Sequence, residues 1–196
     1  MTLNGAVVGT MVAILLLLVL SAMFSGSETA LTTFSRARMH HLKRRGNRRA
    51  ALVSALDERR ERLLGTILLG NNFANILASA LATSLLISWF GDVGVAYATV
   101  AMTILILIFS EILPKTYAIL NADRTALWTA PIIRVFVVLL GPFTVGIQAM
   151  VRVVLRISGA QRRQGRAAAE EEIRGAIDLF VQEVGGMRGE GDMLGG

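Results

Sequence analysis

The chain has 196 residues, of which 54% are hydrophobic, and carries a formal net charge of +6 with two histidines and no cysteine. A mean hydropathy of +0.59 is too high for one soluble domain of this length. The missing cysteines exclude disulfides, thiolate metal sites and cysteine nucleophiles, and His40 and His41, adjacent in a basic segment, do not suit an imidazole metal centre.

No charged side chain occurs from Met1 to Ser27. A run of that length can cross a hydrocarbon core, which takes about 20 helical residues. A cleaved signal peptide would need a basic start, and the first Lys or Arg is Arg36. The run therefore reads as a membrane helix over about Ala6–Phe24. Between Arg36 and Arg62 lie ten basic and three acidic residues, read as a loop that the positive-inside rule places in the cytoplasm. The N-terminus is then outside and the first helix runs inward. Arg44, Arg45, Arg48 and Arg49 fit the task of fixing topology against anionic lipid headgroups. The segment holds no stacking aromatic, which sets nucleic-acid binding aside.

A second uncharged run, Leu63–Gly91, predicts an outward helix over about Leu63–Ser88, closed by an external turn at Trp89-Phe90-Gly91-Asp92. A third helix, about Gly94–Leu113, returns to the side of Lys115 and Arg124. The next apolar stretch, Thr125–Leu155, has arginines on both flanks and Gly141-Pro142 in its middle. Proline removes a helical hydrogen bond and clashes with the turn before it. This predicts two short helices or a kinked one along the inner leaflet rather than a fourth span. The expected domain boundaries are a membrane domain over residues 1–160, the start of a cytosolic acidic helical segment over 161–184, and a flexible glycine-rich end over 185–196. In the acidic segment Glu170-Glu171-Glu172 opens an apolar stripe of Ile173, Ile177, Phe180 or Val181, and Val184 that wants a partner.

Polar groups interrupt the apolar runs in three places. Glu111 ends the uncharged run Val93–Ser110, and an ionisable side chain there costs about 2.5–3.5 kcal/mol on insertion scales. Ser25-Gly26-Ser27 ends the first helix, and Asn71, Asn72 and Asn75 can share one sector of the second. Pro114 has no N–H, so the carbonyl of Ser110 loses its usual helical partner beside Glu111. Counted from the cytoplasmic side, the three clusters fall at one depth. Carboxylate, amide, hydroxyl and carbonyl oxygens suit a hard cation such as Mg²⁺, Ca²⁺ or Na⁺. Taken singly, small residues and asparagines also serve as helix-packing contacts and interhelical glue.

The stretches FSGSETAL (Phe24–Leu31), LLGNNFANI (Leu68–Ile76) and SEILPKTYA (Ser110–Ala118) resemble, in order and spacing, the CorC/CNNM family of membrane magnesium transporters. The resemblance covers about residues 5–160. It implies an all-α integral membrane fold: three transmembrane helices per subunit, a broken membrane-associated pair of short helices, a juxtamembrane helix, and a homodimer. It implies an ion site at Ser25, Ser27, Asn72, Asn75, Ser110 and Glu111, with Asn71 as a neighbour. Family members continue into an acidic bundle and ATP-binding CBS modules, and EEEIRGAIDLF resembles the start of that bundle. The CBS modules are absent from this sequence, so an ATP site is expected only in that missing part.

The expected function is a Mg²⁺ transporter core of the inner membrane that takes the ion from the cytoplasmic side. Moving two charges out against an inside-negative potential costs about 4.6 kcal/mol per 100 mV, which makes Na⁺ a reasonable coupling ion. The alternative is a Mg²⁺-binding membrane sensor or anchor that moves no ions. No nucleophile–base pair or hydrolase motif marks an enzyme.

Overall fold

The computed structural model describes residues 5–157. The acidic segment 161–184 and the glycine-rich end 185–196 lie outside the described residues. Contacts group the chain into two units, Met1–Val145 and Gly146–Gly196, and the first holds the candidate site. All regular structure among the described residues is helical: α1 Gly5–Thr33, α2 Arg36–Arg44, α3 Arg48–Asp57, α4 Arg60–Phe90, α5 Gly94–Leu105, α6 Leu113–Leu120, α7 Ala122–Leu139 and α8 Gly141–Ile157. A 3₁₀ turn (Gly91–Val93) joins α4 to α5, and a π-helical segment (Ile106–Ile112) joins α5 to α6.

Gly5–Thr33 and the helical stretch Arg60–Leu120 are each long and apolar enough to cross a membrane. The second stretch is not one rod, which would reach about 90 Å at 1.5 Å per residue. It folds back at Gly91, so that Ala78 and Ala82 of α4 pack against Met102 of α5, with Leu17 and Leu18 of α1 alongside. A Cβ on Gly94 would collide with the Leu86 carbonyl, so the hairpin can close this tightly only with glycine there. Phe90 and Tyr97 meet edge to face across the turn, with ring centroids 5.4 Å apart. The inner face of α4 is a stripe of Gly70, Ala74, Ala78 and Ala82, spaced by four. Small residues at that spacing let helix backbones approach where hydrocarbon offers no hydrophobic drive between helices. The large side chains point outward instead: Leu15, Leu16, Phe73, Ile76, Val100 and Ile104 are all exposed. In water they would form an aggregating patch, and in a bilayer they are the wetted surface. The chain is an all-α membrane protein.

The segment Arg36–Arg62, expected as a loop, is instead mostly helical. Ser35 caps α2 by accepting the Arg38 N–H, and Asn47 caps α3 by accepting the N–H groups of Arg49 and Ala50. Met39, Ala50, Val53 and Leu56 are buried and join Leu31, Leu63 and Ile133 in one core. This thin apolar stripe among many arginines gains its stability from packing rather than from its own amphipathicity. Asp123 ties this region to the start of α7: one carboxylate oxygen accepts the Ser35 N–H at 2.9 Å and the other accepts from Arg38 at 3.2 Å.

Helix α7 buries Ala126, Thr129, Ala130 and Ile133 along one face, and its Phe136 meets Phe24 of α1 edge to face at 4.8 Å. It ends at Leu140, where Gly141 and Pro142 open α8. The expected break therefore lies where Gly141-Pro142 placed it, and the stretch is a pair of helices rather than one straight span.

Candidate ion site in the membrane core

The polar groups concentrate where α1, α4 and the π segment meet. Phe24 sets the spacing on the α1–α4 side. Its ring lies flat on Gly70, where any Cβ would overlap it. Three residues back along α1, the Ser21 hydroxyl donates to Asn71 Oδ1 at 2.6 Å, and both residues are buried. Ser21 was not among the residues singled out from the sequence. It stands one turn before Ser25 on the same helix face, so an i, i+4 reading of α1 would have found it.

Each expected site residue can be placed. Ser25 is fully buried on α1, and its hydroxyl oxygen has no hydrogen-bond partner among the described residues. Ser27, also fully buried, donates its hydroxyl back to the Met23 carbonyl at 2.6 Å. That direction leaves the Ser27 lone pairs facing away from the helix backbone. Asn71 is committed to Ser21. Asn72 is exposed, and its amide donates to the Leu68 carbonyl at 3.0 Å. Asn75 is half-buried, and its side-chain carbonyl oxygen is buried without a partner. A buried acceptor left unpaired costs about 1–3 kcal/mol. Ser110 is fully buried and donates its hydroxyl to the Leu18 carbonyl at 3.1 Å, fixing the π segment onto α1.

The clusters are offset along α1. α1 and α4 run antiparallel, with Phe24 against Gly70 and Ser21 against Asn71, so Asn75 faces the helix height of Leu18. Ser110 sits at that height as well. Ser25, Gly26 and Ser27 lie a turn or more nearer the arginine-rich end, where a Cβ on Gly26 would touch Pro114 at 3.4 Å. α1 stays helical through Thr33, past the inner end expected near Phe24.

Glu111 is half-buried and borders a cavity of about 420 Å³ between α4 and α5, together with Ser79, Thr83, Thr99 and Thr103. Thr83 and Thr103 donate their hydroxyls to carbonyls one turn back, at 2.8 and 2.7 Å, so their lone pairs remain available. Lys115, one turn from Glu111, pairs with Glu28 of α1 at 3.7 Å instead. The Glu111 carboxylate has no ion pair among the described residues. The π segment explains its placement. Leu113 donates its N–H to the Ile108 carbonyl, five residues back, and Pro114 supplies no N–H to the turn that follows. Single wide turns of this kind recur at functional sites. Among the described residues no three His, Cys, Asp or Glu side chains come together, so an ion here would take one carboxylate and otherwise neutral oxygens.

The model of the Cyclin M transmembrane N-terminal domain matches residues 12–190. The chain is 40% identical over 140 residues to the UPF0053 inner membrane protein YfjD of Escherichia coli, covering 71% of this chain and 33% of that protein. It is 35% identical over 167 residues to a UPF0053 protein of Haemophilus influenzae, covering 85% of this chain and 40% of that one. A chloroplastic DUF21 domain-containing protein of Arabidopsis thaliana is 32% identical over 158 residues, covering 81% of this chain and 24% of its own length. The chain thus spans between a quarter and two fifths of the curated relatives it matches. A family match over most of the chain, on an all-α membrane fold that carries the three motifs, identifies it as a transmembrane domain of the CorC/CNNM family.

Proposed function

We propose that this chain is the ion-binding membrane core of a Mg²⁺ transporter. The observation that carries the proposal is Glu111, a carboxylate in an apolar helix that no described cation neutralises, placed beside hydroxyls that turn their lone pairs outward. Asn75 Oδ1 and Ser25 Oγ add buried oxygens without partners. Mg²⁺ favours six oxygens and gives up its water reluctantly, which suits a partly hydrated ion held by one charge and several neutral ligands. The ligand set is drawn from Ser25, Ser27, Asn71, Asn72, Asn75, Ser110 and Glu111. The ion enters from the arginine-rich end, which the positive-inside rule makes cytoplasmic, and the N-terminus lies outside. The mechanism is export coupled to Na⁺ entry, in a homodimer of the inner membrane.

The test is Mg²⁺ flux in proteoliposomes with a Na⁺ gradient imposed in either direction, beside Glu111→Gln. Flux that follows the gradient and falls at least tenfold in the variant is the expected result. Flux indifferent to Na⁺ would remove the coupling. A protein without flux that Mg²⁺ still stabilises, by about 2.7 kcal/mol at 100 times Kd, would favour the sensor reading when Glu111→Gln abolishes that effect.

A further inference from the structure

A cavity of about 1200 Å³ opens between α1, the α2–α3 region, α6 and the start of α7. Its two ends differ in chemistry. Val19, Leu113, Tyr117 and Leu120 line the part that belongs to the apolar spans. Arg38, Arg49 and Arg124 line the part beyond the helix ends, with Asn47, Asn121 and Asp123. Asp123 is already committed on both oxygens, to the Ser35 N–H and to Arg38. Arg49 and Arg124 are exposed and have no ion pair among the described residues. Three guanidiniums facing one carboxylate leave two positive charges at the mouth. Trp128, also in the lining, is exposed, and indole rings favour the membrane–water boundary.

An apolar slot inside the bilayer that opens onto unpaired arginines at its edge matches one molecule that the surroundings supply in abundance. We infer that this cavity binds an anionic phospholipid, with its phosphate on Arg49 and Arg124 and an acyl chain along Val19, Leu113 and Leu120. Guanidinium groups hold phosphate oxygens two at a time, which makes this more selective than the diffuse attraction of a basic surface. The lipid would also lie against Gly26 and Pro114, which line the same cavity and contact each other. It would therefore touch the helix pair that carries Ser25, Ser27 and Glu111. The inference stands apart from the transport proposal.

The protein contains two tryptophans, so Trp89→Phe leaves Trp128 as the sole reporter inside the cavity. In vesicles, quenching of Trp128 by phosphatidylglycerol with brominated acyl chains is compared with quenching by the matching phosphatidylcholine. The expected result is half-maximal quenching at a several-fold lower mole fraction of phosphatidylglycerol. Arg49→Gln and Arg124→Gln each reduce that preference about fivefold. Equal quenching by the two lipids would overturn the inference, and so would a preference that neither substitution changes. The comparison of lipids on the parent protein needs no rim substitution, so it decides even if a variant folds poorly. A Trp128 response to soluble glycerol phosphate as strong as to the lipid would overturn it in favour of a free phosphate ligand.

Discussion

The two halves of α4 have similar apolar character and make different polar contacts. From Ala78 to Phe90 the helix meets α5 through Ala78 and Ala82, and Gly94 lies directly on Leu86. From Leu63 to Asn75 it meets α1 through Gly70 and Asn71, where a phenyl ring and a serine hydroxyl fill the gap. In the α5-facing half Thr83, Thr99 and Thr103 donate back to carbonyls of their own helices and line the cavity that Glu111 borders. In the other half Phe24 sits on Gly70, and next to it the buried Ser21–Asn71 hydrogen bond joins α1 to α4.

The largest test of this contrast is Gly94→Val, which drives a branched side chain into the Leu86 backbone. It should lower stability by about 3 kcal/mol or more, read as a shift in the midpoint of unfolding by denaturing detergent. Gly70→Ala should cost less, about 1–3 kcal/mol, because it meets a ring that can move. Adding Phe24→Leu should recover part of that loss, and no recovery would mean that Gly70 matters for another reason. Asn71→Ala strands the buried Ser21 hydroxyl and should cost about 0.5–2 kcal/mol. The Ser21→Ala/Asn71→Ala double variant should fall short of the sum by at least about 0.5 kcal/mol in a mutant cycle. Strict additivity would show that the two residues do not act as a pair. Arg36→Gln is the smallest. It removes an ion pair to Asp57 whose arginine side chain is 70% exposed, and it should change stability by less than about 0.5 kcal/mol.

The apolar runs, the turn near Gly91 and the break at Gly141-Pro142 were all readable, because each rests on local composition or on a residue with one strong backbone preference. The helices of the arginine-rich segment were not. Met39, Val53 and Leu56 are too few among ten basic residues to stand out, and their burial depends on Leu31, Leu63 and Ile133 from distant parts of the chain. The placement of the polar groups was legible only as a set of motifs. The sequence marks Asn71 as polar, but Phe24 seated on Gly70 makes Ser21 its partner rather than Ser25. Likewise Lys115 lies one turn from Glu111 in sequence, yet it reaches across to Glu28. Pro114 pointed to irregular hydrogen bonding, while the wide turn before it left no residue signature of its own.

That wide turn also fixes a phase. A π turn holds one more residue than the α turn it replaces, and each residue advances a helix by about 100°. Everything after Ile112 is therefore rotated by about 100° from where an unbroken α5 would have carried it. The contact of Pro114 with Gly26 and the reach of Lys115 to Glu28 both belong to the rotated register. Removing a single residue from Ile106–Ile112 would let the segment relax to an ordinary helix and leave both side chains facing α1, whereas straightening it at full length would turn both away. In this stretch the number of residues matters as much as their identity, because the wide turn takes up one residue that a regular helix in the same register would not hold.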